Sequence, residues 1–307
     1  LSGLIEHAAA YHGSREIVSH LVDGSTHRSN WATVRERACR LANALQALGV
    51  QPGDRVATLA WNTHRHLEMY FAVSGMGAVL HTVNPRLFRE QIAYIMSHAS
   101  DRVLLFDADL LPIVESVAAE VPSIEHYVVL CDEAELPASS TLKLIAYESW
   151  IAGHGGNYQW PSFDERTASS LCYTSGTTGN PKGVLYSHRS IVLNALSDCT
   201  PNVLGLSPKE AILPVVPMFH VNAWCIPYAA PMAGAKIVLP GPRLDGPSLY
   251  ELMETEGVTI SAGVPTIWQL LIGHVEQNQL RFTTMRRTLV GGSAMPQALI
   301  AKFMDVY

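Results

Sequence analysis

The chain has 307 residues, of which 48% are hydrophobic, and a formal net charge of -6 at pH 7. This composition can bury a large core in one large or two medium domains, and the absence of a basic run argues against a nucleic-acid-binding protein. Five scattered cysteines without a C-x-x-C pair argue against a disulfide framework or a zinc site, so we expect a cytoplasmic protein. The apolar runs are interrupted well short of a membrane span, so we expect no transmembrane helix, and we also expect no signal peptide.

Helix and strand patterns alternate along the chain. Apolar residues spaced by three and four predict a helix over 34–48 that ends at Gly49, and a second helix is predicted over 64–74. Its first residues, His64-Arg-His66, are interpreted as a solvated helix start rather than a metal-binding pair. Strands are predicted at 55–60, 78–83, 102–106, 127–130, 169–173, 183–186, 211–215, 235–239, 259–262 and 288–290. The alternation predicts an α/β fold with two mainly parallel sheets and helices on both faces.

The stretch 131–163 has the weakest periodicity and is rich in Pro, Ser and Gly. We interpret it as a connection and place a boundary near residue 165. The first α/β subdomain is then 1–165. The second, 166–307, is expected to be incomplete and to carry the loop that follows the predicted strand at 169–173.

That loop is the most informative segment of the chain. Its residues are Thr174, Ser175, Gly176, Thr177, Thr178 and Gly179, followed by Asn180, Pro181, Lys182 and Gly183. Glycine allows close backbone approach to a ligand, consecutive N–H groups can surround phosphate oxygens, and hydroxyls and a lysine add donors and charge. A surface turn has similar composition, but the flanking strands and the Pro-Lys-Gly ending favour a triphosphate. The Walker spacing G-x-x-x-x-G-K-[ST] is not matched.

The segment 173–183, Tyr-Thr-Ser-Gly-Thr-Thr-Gly-Asn-Pro-Lys-Gly, resembles the signature of adenylate-forming enzymes, which include acyl-CoA synthetases, luciferases and peptide-synthetase adenylation domains. Four further segments resemble that family over nearly the whole chain: 48–57, 216–224 (Val-Pro-Met-Phe-His-Val-Asn-Ala-Trp), 262–268 (Ala-Gly-Val-Pro-Thr-Ile-Trp) and 290–294 (Val-Gly-Gly-Ser-Ala). The second resembles the aromatic-and-histidine segment of the fatty acyl-CoA synthetases. The third and fourth resemble two later segments of the family that line the substrate and adenine pockets.

The resemblance implies a role for each matching residue. Thr174 through Gly179 and Lys182 would bind the phosphates of ATP, with Thr174 also a Mg²⁺ ligand and Lys182 and His220 in catalytic positions. Adenine would lie against Gly291, Gly292, Ser293 and Ala294. The acyl pocket would be lined by His220, Val221, Trp224, Val264, Thr266 and Trp268, although ordinary core packing explains Val221, Val264 and Trp268 equally well. Amino-acid-activating relatives usually have an Asp after the Phe that corresponds to Phe219, and the His here argues against an α-amino acid substrate, whose ammonium would be buried unpaired.

The implied function is a fatty acid–CoA ligase of lipid metabolism that uses ATP, Mg²⁺ and CoA to convert a carboxylic acid first to acyl-AMP and then to a thioester. An aryl or other carboxylate–CoA ligase, and a non-catalytic nucleotide-binding module, remain open, as do peripheral membrane association and a homodimer. The family's Tyr-Gly-x-Thr-Glu segment, ribose-binding Asp and small C-terminal domain with its catalytic Lys do not occur within residues 1–307. We therefore expect the 307-residue chain by itself to be inactive.

Overall fold

The structure, a computed structural model, describes residues 1–138, 140–174 and 180–305. The strands in this part of the chain are β1 Glu16–His20, β2 Thr26–Asn30, β3 Arg55–Leu59, β4 Val79–Thr82, β5 Val103–Phe106, β6 His126–Val129, β7 Leu144–Ala146, β8 Ala168–Thr174, β9 Lys182–Ser187, β10 Ala211–Pro214, β11 Lys236–Leu239, β12 Ile260–Gly263 and β13 Arg287–Val290. The α-helices are α1 Ser2–His12, α2 Trp31–Ala47, α3 His64–Gly75, α4 Arg89–Ala99, α5 Leu111–Val117, α6 Tyr147–Ala152, α7 His188–Asp198, α8 Ile226–Ala233, α9 Gly246–Thr255, α10 Pro265–Gln277 and α11 Gln297–Asp305.

The strands form two sheets. The seven-stranded sheet has the order β7-β6-β5-β3-β4-β8-β9, and the six-stranded sheet has the order β13-β12-β10-β11-β1-β2. Neighbouring strands are parallel except for β8 with β9 and β1 with β2. Two mainly parallel sheets with helices packed around them confirm the predicted fold class.

The predicted boundary near residue 165 does not separate the two sheets. The hairpin β1–β2 from the first part of the chain pairs with β11 of the six-stranded sheet. Strands β8 and β9, which flank the predicted phosphate loop, pair with β4 and so belong to the seven-stranded sheet. The physical reason is that strand pairing joins segments distant in sequence, so a contiguous split of the chain cannot be drawn from local pattern alone.

Capping interactions explain why two long helices begin where they do. The side chain of Asn30 accepts a hydrogen bond from the backbone N–H of Thr33 at the start of α2. The side chain of Thr63 accepts one from the backbone N–H of His66 at the start of α3. Gly49 follows α2 with a φ of +81°, the left-handed conformation that glycine adopts without strain. Helix α3 then packs against α2, and Tyr70 and Phe71 are fully buried.

Two expectations about single segments are corrected. His64 and His66 begin α3 as predicted, but they are 2% and 0% exposed, so this helix start is buried rather than solvated. The buried His66 ring has a hydrogen-bond partner, because its Nε2 lies 3.0 Å from Thr58 Oγ1. The stretch 131–163 contains β7 and α6 in addition to connecting loops.

A search of the described residues finds no helix that is both long and apolar enough to cross a membrane. All five cysteines are free thiols, and four of them are buried.

Candidate active site

The predicted site segments all follow the carboxyl ends of parallel strands. Thr174 ends β8, residues 216–224 follow β10, Val264 follows β12, and residues 291–294 follow β13. Strand β10 lies between β11 and β12, so the chain continues from β10 to β11 on one side and then crosses to β12 on the other side of β10. In open α/β sheets, ligands bind outside the carboxyl ends of the strands at such a switch point.

The predicted phosphate loop connects the antiparallel strands β8 and β9. Thr174 and Lys182 are partners across the last rung of this ladder, and Thr174 Oγ1 donates a hydrogen bond to the Lys182 carbonyl oxygen at 3.5 Å. Both residues are exposed, at the end of the hairpin where the connecting loop begins and ends. Ser175, Gly176, Thr177, Thr178 and Gly179 lie outside the described residues, so their predicted role as phosphate ligands stays a prediction.

Residues 214–218, which lead from β10 into the acyl segment, are held by two side chains that the sequence analysis missed. The Asn62 amide donates to the carbonyl oxygens of Pro214 and Val216, both at 2.9 Å, and its Oδ1 accepts from Met218 N at 2.7 Å. The Tyr70 hydroxyl donates to the Met218 carbonyl oxygen. Asn62 comes soon after the buried strand β3, and a polar residue at that edge of a sheet is a signal that could have found it.

The acyl segment then forms a left-handed turn. Val221, Asn222, Ala223, Trp224 and Cys225 have φ values between +47° and +69°, although none is glycine. The left-handed helical conformation costs roughly 1–2 kcal/mol for each such residue, and backbone of this kind persists only where surrounding contacts fix it. No propensity in the sequence predicts this turn.

The turn brings Trp224 against the segment that was predicted to bind adenine. A Cβ atom placed on Gly291 would lie 2.8 Å from both Cη2 and Cζ2 of the Trp224 ring, so glycine allows the close approach. At the next residue, a Cβ on Gly292 would lie 3.1 Å from Cγ1 of Val264. The structure therefore brings together the predicted acyl residues Trp224 and Val264 and the predicted adenine residues Gly291 and Gly292.

The other residues predicted for these pockets differ in exposure. Ser293, Ala294 and Thr266 are exposed, and Val221 is half-buried. Trp268 is fully buried, and its indole N–H donates to the Gly263 carbonyl oxygen at 3.2 Å. These contacts are those of a core residue, and a role of Trp268 in the acyl pocket stays a prediction.

His220 stands at the entrance of the left-handed turn and is exposed. Desolvation of the part of its ring that faces the fold lowers the pKa of His220, which favours the neutral imidazole, a donor of one N–H hydrogen bond. The preceding Phe219 is 4% exposed and packs edge-on to Trp61, with ring centroids 6.1 Å apart. The guanidinium carbon of Arg86 lies over the Phe219 ring, 5.7 Å from its centroid, so a cation lies beside the residue that precedes His220.

Within the described residues, no group of three or more His, Cys, Asp or Glu side chains could hold a metal ion. Thr174, exposed at the end of β8, offers one hydroxyl oxygen. Such a donor set suits Mg²⁺ that takes most of its ligands from phosphate and water, because Mg²⁺ keeps several waters and needs few protein ligands.

A family model described as an AMP-binding enzyme matches residues 5–307. The chain belongs to this family. Its site geometry agrees with the match, because the segments 216–224, 262–268 and 290–294 contact one another through Trp224, Val264, Gly291 and Gly292. The family membership confirms the interpretation drawn from the segment 173–183.

Curated relatives are similar along most of the chain. It is 52% identical over 307 residues to the medium-chain-fatty-acid–CoA ligase of Ectopseudomonas oleovorans and 53% identical over 299 residues to the long-chain-fatty-acid–CoA ligase of Thermus thermophilus. It is 50% identical over 307 residues to the 3-methylmercaptopropionyl-CoA ligase of Ruegeria lacuscaerulensis. These matches cover 97% to 100% of this chain but 54% to 57% of the relatives, so the chain spans little more than half their length.

Solved structures of lower identity share the fold. The inhibitor-bound N-terminal domain of FACL13 from Mycobacterium tuberculosis superposes with a TM-score of 0.85 at 24% identity, covering 99% of this chain and 72% of that one. The long-chain-fatty-acid–CoA ligase FadD1 from Archaeoglobus fulgidus gives 0.86 at 20% identity, with 99% and 59% covered. The fold is thus that of adenylate-forming enzyme N-terminal domains.

Proposed function

We propose that this chain forms the ATP- and acyl-binding part of a fatty acid–CoA ligase. The observation that carries the proposal is the contact of Trp224, in the predicted acyl segment, with Gly291, in the predicted adenine segment. If both segments have their proposed roles, this contact brings the acid-binding residues next to the nucleotide-binding residues, as acyl-AMP formation requires. The identity of 52% and 53% to two fatty acid–CoA ligases supports a fatty acid as the substrate.

The residues around the turn suit an apolar acid. Val221, Trp224 and Val264 offer apolar surface, and each methylene of an acyl chain buried there would contribute about 0.8 kcal/mol. Phe219 is followed by His220, which carries no negative charge and so cannot form an ion pair with the ammonium of an amino acid. The proposal therefore places the carboxylate near His220 and the chain towards Trp224.

The proposed reaction has two steps. A carboxylate oxygen of the acid attacks the α-phosphorus of ATP, the bond to the β-phosphate oxygen breaks, and pyrophosphate leaves. The CoA thiolate then attacks the acyl carbon, and AMP leaves with the electrons of the acyl–oxygen bond. Because an ionised carboxylate is already a nucleophile, the chain has to align the reactants and stabilise negative charge on phosphate.

Lys182 and His220 would carry these roles. The ammonium of Lys182, exposed at the end of the β8–β9 hairpin, would face the phosphates. The neutral His220 ring would donate its N–H to the carboxylate or to the acyl phosphate. Mg²⁺, held by the Thr174 hydroxyl and the phosphates, would neutralise phosphate charge when bound.

A second candidate substrate is a short acid with a thioether, because a 3-methylmercaptopropionyl-CoA ligase is 50% identical to this chain. The same apolar pocket could hold the methylthio group. The two candidates differ in the length of chain that the pocket accepts, so a profile over acids of different length separates them.

The test uses a chimera in which residues 1–307 are followed by the part of the Ectopseudomonas oleovorans ligase that lies after its matched region. We expect the chimera to release pyrophosphate and form thioester from ATP, Mg²⁺, CoA and one of butyrate, octanoate, palmitate or 3-(methylthio)propionate. We expect residues 1–307 alone to form no thioester. A chimera that stays inactive with every acid, while the intact Ectopseudomonas oleovorans ligase is active, would contradict the proposed function.

Two lysine variants of the chimera sharpen the test. Lys182→Ala should slow single-turnover acyl-AMP formation by about two to three decades, since one charge-stabilising contact contributes on the order of 3 kcal/mol. Lys209→Ala is the matched control, because Lys209 is exposed at the amino end of β10, opposite the site. A Lys182→Ala rate within about threefold of the Lys209→Ala rate would remove Lys182 from the phosphate site.

A further inference from the structure

The left-handed turn at 221–225 needs an explanation, because five successive non-glycine residues take a conformation that is unfavourable for them. Asn222, in the middle of the run, is 2% exposed. Asparagine tolerates this conformation better than most residues because its short polar side chain can hydrogen-bond nearby groups. Here, however, the partners of that side chain lie on a different element of the fold.

The Asn222 amide is bound to strand β8. Its Nδ2 donates to Ser170 Oγ at 2.8 Å, and its Oδ1 accepts from Cys172 Sγ at 3.5 Å. Ser170 and Cys172 are 0% and 3% exposed and are two residues apart, so they project from the same face of β8. The same strand ends at Thr174, where the predicted phosphate loop begins.

The residues around Asn222 are fixed by separate contacts. Ala223 is fully buried, Cys225 is 3% exposed, and Cys225 Sγ donates to the Ile191 carbonyl oxygen at 3.4 Å. Trp224 lies between these two buried residues within the left-handed run, and its ring approaches Gly291 closely. The bonds from Asn222 to β8 thus set the backbone from which the Trp224 ring projects.

We propose that Asn222 is a positioning residue that determines acyl specificity: by anchoring the left-handed turn to β8, it fixes Trp224 over Gly291 and so sets the shape of the acyl pocket relative to the phosphate loop. This inference rests on the proposed ligase function for its consequence on specificity. The positioning of Trp224 stands on the geometry and is tested without catalysis.

The variants separate the anchor from the backbone. Asn222→Gly removes both side-chain hydrogen bonds but keeps easy access to positive φ, so the turn can still form. Ser170→Ala removes one of the two partners on β8 and leaves Asn222 and Cys172 in place. Asn43→Ala is the matched control, because the Asn43 amide also bridges two segments, donating to the carbonyl oxygens of Gly155 and Asn157 at 2.8 and 2.9 Å, and neither segment carries a predicted site residue.

The first measurement is fluorine NMR of residues 1–307 labelled with 5-fluorotryptophan, with the Trp224 resonance assigned through Trp224→Phe. We expect Asn222→Gly and Ser170→Ala to shift or broaden the Trp224 resonance and to leave the resonance of the buried Trp31 in place. We expect Asn43→Ala to change neither resonance. A Trp224 resonance at its wild-type position in both anchor variants would overturn the proposal.

The second measurement is kinetic and uses the chimera. We expect Asn222→Gly and Ser170→Ala to raise the KM for the preferred acid and to change the ratio of kcat/KM between octanoate and palmitate by about tenfold, the size that one misplaced pocket contact gives. The KM for ATP should stay near that of Asn43→Ala. An unchanged ratio together with a displaced Trp224 resonance would overturn the role in specificity. An inactive wild-type chimera would instead count against the ligase function, and the NMR result would still decide the positioning of Trp224.

Discussion

At the scale of single residues, a buried carboxyl group makes stability depend on pH. Asp198, the last residue of α7, is 6% exposed, and its Oδ2 has no hydrogen-bond partner in the described part of the chain. Burial raises the pKa of Asp198 from 3.8 to about 7. Its position at a helix C-terminus, where the backbone carbonyls carry partial negative charge, also disfavours the ionised form.

This pKa shift has a definite sign. Between pH 4 and 7 the folded chain keeps the proton on Asp198 while the unfolded chain loses it, so the contribution of Asp198 to the free energy of unfolding falls as the pH rises through that window. Asp198→Asn removes the charge and should melt a few degrees higher than wild type at pH 8 but close to wild type at pH 4.5. Melting curves across this range check the prediction. An Asn variant that is less stable than wild type at pH 8 would show that the carboxylate has a stabilising partner, and Asp164→Asn serves as an exposed control.

At the scale of elements, local pattern predicted most of the strands. The strand predicted over 55–60 is β3 Arg55–Leu59, and that over 169–173 is β8 Ala168–Thr174. The hairpin β1–β2 was missed, although Asp23-Gly24 between its strands is a common hairpin turn signal. Its second strand, Thr-His-Arg-Ser-Asn, is polar and half-exposed, so it lacks the apolar alternation that marks a strand.

The sequence motifs named the members of the candidate site, whose roles stay predictions, but did not predict the contacts between them. Thr174, Trp224, Val264 and Gly291 were each named from motifs, and all follow carboxyl ends of strands. The meeting of Trp224 with Gly291 could not be predicted, because it depends on a run of positive φ that side-chain propensities disfavour. Tertiary hydrogen bonds from Asn222 overrule that local preference.

The loop after β13 offers a probe of the Trp224 contact. In Gly291→Ala the new Cβ would lie 2.8 Å from the far end of the Trp224 ring, so the ring has to move. We expect the chimera with Gly291→Ala to change its acyl chain-length profile with little loss of thermal stability, because a side chain rather than backbone gives way. Gly273→Ala is the control, since a Cβ there meets nothing within 4 Å and should stabilise α10 slightly. Equal chain-length profiles in both variants would mean that Trp224 does not line the acyl pocket.

At the scale of the whole molecule, the two sheets are joined by exchange of elements rather than by a linker. Strands β1 and β2 belong to the six-stranded sheet, although they precede every strand of the seven-stranded sheet in the chain. One hydrophobic core contains Ile17 and Ile237 from the six-stranded sheet and Leu80 from the seven-stranded sheet. The site segments of both sheets are therefore carried on one packed unit. This arrangement supports the geometry that the proposed function requires, in which acid and nucleotide are held in fixed positions.

Strand β9 gives the last prediction, which concerns association of the chain. It is the edge of the seven-stranded sheet, and Leu185 on it is 62% exposed. On the helix that follows, Leu193 and Leu196 are both 55% exposed. An edge strand with apolar side chains is a template for pairing with another copy, and proteins commonly protect such edges with lysine.

We therefore expect residues 1–307 to self-associate, with the apparent mass in light scattering rising with concentration. Leu185→Lys places a charge on the edge and should lower that mass towards the 33.5 kDa of one chain. Leu270→Lys is the matched control, because Leu270 is 59% exposed on α10 and lies on no sheet edge. If both variants associate like wild type, the contact lies elsewhere; if wild type stays at one chain mass at every concentration, the edge of β9 does not drive association and the prediction is wrong.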